Sequence, residues 1–189
     1  MAKVLLHICC GPCAIYPVST LREHGYDLMG YFYNPNIHPY TEYLKRKEAL
    51  EQFAELVQLK VIYDKKYDLK EFLQSISYRE TKRCLICYKM RLEAAAHIAK
   101  KGKFDYFTTT LLVSRYQKHN LIVEIGEEAG KKYGIPFLYQ DFREGFKEGI
   151  EISKNMGLYR QQYCGCIYSE LERYAPKSVV QEVLKGENN

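Results

Sequence analysis

Seven cysteines, gathered in three tight groups, are the residues of this sequence best suited to chemistry. They make up 7 of 189 residues, well below the ~8–10% typical of a disulfide scaffold. An odd number in tight groups favours metal or redox chemistry in a reducing compartment. The groups are Cys9, Cys10 and Cys13, then Cys84 and Cys87, then Cys164 and Cys166.

The first two groups stand where helices are predicted to begin. Cys9 to Cys13 follow an apolar run at residues 4–8 and precede a predicted helix, so backbone N–H groups and the helix dipole favour thiolates there. Cys84 and Cys87 open another predicted helix, with both sulfurs on one face. A Cys-x-x-Cys motif alone is shared by zinc sites, iron–sulfur sites and dithiol pairs.

The third group, Cys164-Gly165-Cys166, favours a redox-active pair, although two metal ligands remain an alternative. Two cysteines that flank one residue close a small, strained disulfide ring, and strain makes a disulfide easier to reduce. An iron–sulfur cluster takes about four thiolates from separate segments. Cys9, Cys10, Cys84 and Cys87 meet that need, which leaves Cys13, Cys164 and Cys166 for redox work or a second metal.

Alternation of strand and helix patterns predicts a parallel sheet covered by helices on both faces. In such α/β folds, ligands bind at the carboxyl ends of the strands. We expect one domain over residues 1–189, with a helical C-terminal segment at about 145–189. The predicted strands are 4–8, 28–33, 60–63, 106–111 and 137–139; the predicted helices are 14–24, 40–59, 69–75, 84–101, 121–133, 145–156, 168–174 and 177–184.

Polar residues after two of the strands are candidate substrate contacts. Asn34, Asn36 and His38 follow the second strand in a loop that two prolines restrict. Arg115 follows the fourth strand in a run of hydroxyl and basic residues that suits a phosphate or another polar ligand.

Two further candidates lie towards the C-terminus. Tyr159 and Arg160 run into Cys164, and such aromatic and guanidinium groups suit a nucleobase-like substrate. Asp141 follows the fifth predicted strand and is a candidate oxygen ligand or acid–base group.

Composition excludes several classes of protein. Apolar residues make up 47% of the chain, which excludes disorder as the main state, and no run approaches the ~20 apolar residues of a membrane span. The apolar stretch near residue 4 is too short for an export signal, so we expect a cytoplasmic protein with no membrane association. A net charge of +5 permits nucleic-acid contact.

These motifs together resemble the QueH-type epoxyqueuosine reductases over nearly the whole chain. The resemblance rests on residues 9–13, residues 32–43 with their Asn-Pro-Asn, Arg83-Cys84-x-x-Cys87, residues 109–114 and residues 159–166. It implies an adenine-nucleotide-α-hydrolase-like (Rossmann-like) fold and a [4Fe–4S] cluster. It also implies reduction of epoxyqueuosine to queuosine at the wobble position of tRNA anticodons, with electrons from an unidentified donor.

Carried onto this sequence, the resemblance implies cluster ligands at Cys9, Cys10, Cys84 and Cys87 and a redox-active pair at Cys164 and Cys166. A further hypothesis gives Cys13 and Asp141 a catalytic role: they would bind an additional iron or other divalent metal, which acts as a Lewis acid on the epoxide oxygen.

Three rival functions remain open at this point. Cys10-Gly11-Pro12-Cys13 matches the thioredoxin active-site tetrapeptide, although the chain contains no Trp. A non-catalytic zinc-binding tRNA module is the second rival. The third, an ATP-using tRNA thiolase of related fold, should carry Ser-Gly-Gly-x-Asp-Ser where this chain has residues 9–14.

Overall fold

The computed structural model describes residues 1–185. It contains four strands, β1 (Lys3–His7), β2 (Asp27–Phe32), β3 (Val61–Tyr63) and β4 (Tyr106–Thr109). Short 3-10 turns lie at Glu80–Lys82, Thr110–Val113 and Arg143–Gly145. The α-helices of the described residues are α1 (Gly11–Glu23), α2 (Tyr40–Leu56), α3 (Leu69–Ile76), α4 (Arg83–Lys101), α5 (His119–Tyr133), α6 (Phe146–Asn155), α7 (Ile167–Tyr174) and α8 (Lys177–Lys185).

The strands form one parallel sheet in the order β3-β2-β1-β4. β1 lies in the middle, paired with β2 on one side and β4 on the other. Its residues from Val4 to His7 are completely buried, as expected for a central parallel strand that helices cover on both faces. Helices α1 and α2 pack against each other, as do α4 and α5.

β1 is the point where the strand order changes direction: β2 and β3 lie on one side of it, and β4 lies on the other. Connections leave β1 and β4 in different directions at such a switch point, which opens a crevice at the carboxyl ends of the strands. Cys9 and Cys10 are the second and third residues after His7, the last residue of β1. The topology therefore places the first cysteine group in this crevice.

The predicted α/β architecture is confirmed, with corrections at several ends of elements. The predicted fifth strand, 137–139, is reduced to a single parallel bridge between Phe107 and Phe137. The fourth strand stops at Thr109 because the chain turns into a 3-10 helix. The predicted C-terminal helices are present as α6, α7 and α8, while positions 186–189 lie outside the described residues.

The first helix begins at Gly11, earlier than predicted, so Cys13 belongs to its first turn rather than to a loop. Pro12 suits this place, since the first turn of a helix does not need its missing N–H. Cys10 is the N-cap residue and keeps an extended backbone. In residues 1–185, no helix is long and apolar enough to cross a membrane.

Gly11 is required where α1 approaches α2. A Cβ atom at position 11 would lie 2.4 Å from the backbone oxygen of Ala49. That atom belongs to a helix backbone and cannot move aside as a side chain can. Gly11 thus sets the separation of the two helices next to the first cysteine group.

We expect Gly11→Ala to lower the free energy of unfolding by about 1–3 kcal/mol, the usual cost of overpacking. The measurement is urea denaturation followed by circular dichroism. Gly149→Ala in α6 is the matched control, because its Cβ would meet only the Pro12 oxygen, at an ordinary 3.7 Å. Equal effects of the two substitutions would contradict the close approach.

Candidate sulfur centre

Three thiols meet at the carboxyl end of β1. The Sγ atoms of Cys9, Cys10 and Cys13 all lie within 4.8 Å of one another, with Cys9 and Cys10 only 3.8 Å apart. Cys9 and Cys10 are buried, and Cys13 is half-buried. Thiolates at this spacing can ligate a metal ion, so we call Cys9, Cys10 and Cys13 the thiol triad.

Polar groups from distant parts of the chain contact the triad. The Thr110 hydroxyl donates to Cys9 Sγ at 3.5 Å and accepts from the Cys9 N–H at 3.2 Å. Gln161 Nε2 donates to Cys13 Sγ at 3.1 Å. Hydrogen bonds from Cys10 and Cys13 hold the pKa of Cys9 well below its usual range, against the effect of burial. The triad therefore favours negative charge on Cys9.

The second cysteine group lies in the first turns of α4, as the sequence predicts. Cys84 and Cys87 pack against the same hydrophobic core as the triad. They do not belong to the group of thiols within 4.8 Å of one another. Burial raises the pKa of Cys84, and it raises the pKa of Cys87 to about 11.

Arg91 joins the second group to the end of β1. It lies one helical turn after Cys87, and its Nη1 is 3.6 Å from Cys87 Sγ. Its Nη2 donates to Asn34 Oδ1 at 2.8 Å, and its Nε approaches His7 Nε2 at 3.4 Å. The side chain is only 2% exposed, so these contacts hold a buried positive charge beside the cysteines.

No carboxylate in residues 1–185 forms an ion pair with Arg91. Burial opposes its charge, but electrostatic interaction with the Cys87 and Cys9 sulfurs outweighs burial and raises the pKa of Arg91. Burial, and then Arg91 itself, lowers the pKa of His7 to about 3, so this imidazole is neutral. Because the pKa of Cys87 is raised and that of Cys9 is lowered, the Cys9 thiolate is the negative charge that compensates Arg91.

The third cysteine group lies in a segment that we call the strap, residues 158–166. Arg46, 1% exposed, donates to the carbonyl oxygens of Tyr163 and Cys164 at 2.9 and 3.0 Å. Its Nε forms an ion pair with Glu42 at 2.7 Å. A buried arginine on α2 therefore holds the strap in place through its backbone.

Gly165 lets the strap fit closely against the loop after β2. Its φ is +136°, a conformation that other residues rarely adopt. A Cβ atom there would lie 3.0 Å from Asn36 Nδ2. The Gly165 carbonyl accepts from the His38 N–H at 2.8 Å.

Cys164 and Cys166 differ in environment. Cys164 is exposed and Cys166 is buried, and both are free thiols. A hydrogen bond from Cys166 lowers the pKa of Cys164 to about 6, while the same interaction raises that of Cys166. Cys166 shares a small apolar cluster with Phe72 and Ile76, against which Cys87 packs. The strap therefore adjoins the second cysteine group.

The polar side chains of the loop after β2 are buried and bond mainly to other groups of the protein. Asn34 Nδ2 donates to the Ile8 carbonyl at 2.9 Å, while its oxygen accepts from Arg91. His38 Nδ1 accepts from the Ile167 N–H at 3.3 Å, and its Nε2 lies 3.1 Å from the Pro35 oxygen. Asn36 is also buried, and its Oδ1 has no partner among the described residues. The structure thus uses Asn34 and His38 to position the sulfur centre.

The remaining substrate and metal candidates from the sequence lie outside the thiol triad. The Tyr159 hydroxyl donates to Glu42; Arg160 is half-buried and Arg115 is exposed. Asp141 accepts from Arg143 Nε at 2.9 Å, and these hydrogen bonds lower its pKa to about 2. Asp141 is not a member of the thiol triad, which the structure forms from cysteines alone.

The sequence offers Arg91 as part of the basic flank around Cys84 and Cys87, which could stabilise thiolates or an anionic cluster. Arg91 also follows Cys87 at the spacing of one helical turn. Glu42, Thr110 and Gln161 lie in the segments that carry the family resemblance, but nothing in the sequence assigns them these contacts. Nothing in the local pattern singles out Arg46, which reaches the strap only through tertiary packing.

The fold and the site define a Rossmann-like α/β protein with thiols at its switch point. A solved structure described as a predicted subunit of tRNA methyltransferase, from Methanocaldococcus jannaschii, shares this fold. Its TM-score is 0.54 at 15% sequence identity, over 82% of this chain and 75% of that one.

Sequence comparison identifies the family. The family model described as epoxyqueuosine reductase QueH matches residues 4–172, and this chain belongs to that family. The relative of that name from Dehalococcoides mccartyi is 38% identical over 172 residues, covering 91% of this chain and 94% of its own. The one from Thermotoga maritima is 37% identical over 182 residues, covering 92% and 93%.

We expect iodoacetamide to modify Cys164 with a half-maximal rate near pH 6, because the thiolate is the reacting form. Cys166→Ala removes the hydrogen-bond donor and should move that midpoint up towards the ordinary value of about 8.5. Cys166→Ser keeps a donor and should move it less. Mass spectrometry of the Cys164 peptide from reduced protein gives the rates. A midpoint near pH 8.5 in the unaltered protein would show that Cys166 does not acidify Cys164.

Proposed function

We propose that this protein reduces the epoxide of epoxyqueuosine in tRNA and produces queuosine, with a [4Fe–4S] cluster bound at the sulfur centre. Membership of the family supports the reaction. The observation that carries the cluster assignment is the buried Arg91, which faces cysteine sulfur and has no ion-paired carboxylate in the described part of the chain. A buried cation in this place would stabilise the negative charge of several thiolates that bind a cluster.

The donor set fits such a cluster. The proposed ligands are Cys9 and Cys10 at the end of β1 together with Cys84 and Cys87 on α4. Thiolates around a cubane stand farther apart than thiolates around one ion, and Cys84 and Cys87 on a separate element supply that wider spacing. The Cys9 and Cys10 sulfurs, 3.8 Å apart in this structure, would separate to bind the cluster. When bound, the cluster supplies one-electron transfer.

The reaction needs two electrons and two protons: the epoxide becomes an alkene and its oxygen leaves as water. Cys164 and Cys166 can supply both, because oxidation of two thiols to one disulfide releases two electrons and two protons. The exposed Cys164 is the thiol more readily deprotonated, and Cys166 lies behind it. A separate electron donor must then restore the dithiol.

Geometry does not extend the proposal to a second metal. Asp141, expected to share such a metal with Cys13, forms an ion pair with Arg143 instead. Cys13 accepts a hydrogen bond from Gln161 on the strap, and we assign it to the positioning of that segment. Because the proposed substrate is tRNA, we expect the protein to act in the cytoplasm.

A thiol–disulfide oxidoreductase is the second candidate function. An exposed cysteine of low pKa with a buried partner nearby is the arrangement that such enzymes use, and Cys164 with Cys166 has it. This function requires no iron, so metal content separates the two candidates.

We expect anaerobically purified protein to contain about four iron and four sulfide per chain, as a cubane requires. Cys9→Ser and Cys84→Ser should lose most of the iron and the visible absorption. Cys166→Ser is the matched control: it should keep the iron yet lose reduction of epoxyqueuosine in tRNA. Iron-free active protein, or zinc in place of iron, would contradict the cluster, and an active Cys166→Ser would contradict the dithiol step.

We expect Arg91→Gln to lower the midpoint potential of the iron–sulfur centre, because loss of a nearby positive charge makes the added electron less favourable. Arg91→Lys keeps the charge and should stay closer to the unaltered protein. The measurement is an anaerobic redox titration followed by absorption. The same potential in all three proteins would show that Arg91 does not act through its charge.

A further inference from the structure

A basic and aromatic surface lies beside the sulfur centre. It is formed by residues 114–118, between the 3-10 turn that follows β4 and the start of α5. We call these residues the rim loop. The preceding turn begins at Thr110, whose hydroxyl contacts Cys9, so the turn that leads into the rim loop starts at the sulfur centre.

One end of the rim loop is attached to the helix that carries the second cysteine group. Tyr88 lies one turn after Cys84 on α4, and its hydroxyl donates to Gln117 Oε1 at 2.5 Å. The same hydroxyl accepts from the Lys118 N–H at 3.2 Å. The Lys118 backbone is therefore held at a residue one helical turn from Cys84, a proposed cluster ligand.

The other end reaches towards the helix that carries Cys13. The Arg115 guanidinium lies 5.8 Å from the centre of the Phe146 ring, at the start of α6. Next to Phe146, Gly145 is so close to Tyr16 of α1 that a Cβ there would overlap the Tyr16 ring. The rim loop thus extends from α4, which bears Cys84, to α6, which packs against the Cys13-bearing helix α1.

Tyr116 stands between these two anchors and is 86% exposed. Its N–H donates to Ser114 Oγ at 3.2 Å, and its ring meets Phe146 edge-on, with centroids 5.8 Å apart at 74°. A single exposed aromatic residue needs no special explanation. This one, however, lies between Arg115 and Lys118 at the edge of a reaction centre.

We propose that the rim loop binds the anticodon loop of the RNA substrate, with an unpaired base next to the reacting nucleoside stacked on Tyr116. Arg115 and Lys118 contact the neighbouring phosphates. Stacking on aromatic rings together with cationic contacts is how proteins hold unpaired bases, and the loop contains two cations and no acidic residue. This inference rests on the proposed function, which it deepens by naming the contacts with RNA.

The basic run at residues 100–103 provides the contrast. It ends α4, roughly 27 Å along the helix from Cys84 at the usual rise per residue. It lies at the amino end of the sheet, where the Asp105 N–H bonds the Lys3 carbonyl. Lys103, which is exposed, therefore serves as a control of equal charge far from the sulfur centre.

The test measures the binding of a fluorescently labelled anticodon stem-loop RNA by anisotropy, at one fixed salt concentration. Tyr116→Leu should weaken binding by about fivefold or more, the usual effect of losing one stacked base. Tyr116→Phe keeps the ring and should bind within twofold (about the error of such a comparison) of the unaltered protein. A stem of equal length with no loop should bind more weakly, with no response to either substitution.

The charged contacts are tested by salt dependence. Lys118→Gln should weaken binding and reduce the slope of log K against log salt by about one, as expected when one phosphate contact is lost. Lys103→Gln should change neither quantity. Thermal unfolding of each variant controls for stability, and Tyr116, being exposed, should tolerate replacement.

Unchanged binding by Tyr116→Leu, or equal effects of Lys118→Gln and Lys103→Gln, would overturn the rim-loop proposal. Failure of the proposed function would appear separately, as an unaltered protein that binds the stem-loop but reduces no epoxyqueuosine. If leucine and phenylalanine weaken binding equally, the Tyr116 hydroxyl rather than the ring makes the contact, and stacking is excluded.

Discussion

The sulfur centre depends on one constraint: the positive charge of Arg91 must be stabilised in the interior of a small α/β protein. Arg91 is buried without an ion-paired carboxylate among the described residues, and a buried charge is costly unless opposite charge lies near it. The Cys9 thiolate, whose pKa is lowered, supplies that charge here. The same guanidinium holds Asn34 and contacts Cys87, so one side chain ties the end of β1, the loop after β2 and helix α4 together.

A second buried arginine, Arg46, holds the strap in place through hydrogen bonds. Arg46 is paired with Glu42 and differs from Arg91 in that its charge has a carboxylate partner. Its remaining donors bind backbone carbonyls of Tyr163 and Cys164. The strap can therefore lie against the Asn34–His38 loop although it forms no strand with the sheet. Its Cys166 stays in the apolar cluster against which Cys87 of α4 packs.

The sequence predicted the architecture and the elements that carry the cysteines, because apolar periodicity and the alternation of strands and helices are local signals. It predicted the ends of these strands and helices less accurately. The predicted strand over residues 137–139 is a single bridge, since only Phe137 pairs with β4. Cys13 lies inside α1 rather than in a loop, because Pro12 is well suited to a first helical turn. Asn34 and His38 were expected to face substrate, yet their polar atoms bind the protein itself.

By itself, the sequence determined that seven cysteines occur in three groups, that two groups lie at helix starts, and that the chain resembles one family. The structure decided which thiols meet: Cys9, Cys10 and Cys13 cluster because Cys10 is the N-cap of α1 and Cys13 lies in its first turn. It also decided which charges face them. Burial gives Arg46 and Arg91 their roles: Arg91 lies beside the Cys87 sulfur, and Arg46 binds Glu42 and the strap. Sequence alone cannot show this, since electrostatic interaction depends on distance in space and on exclusion of water.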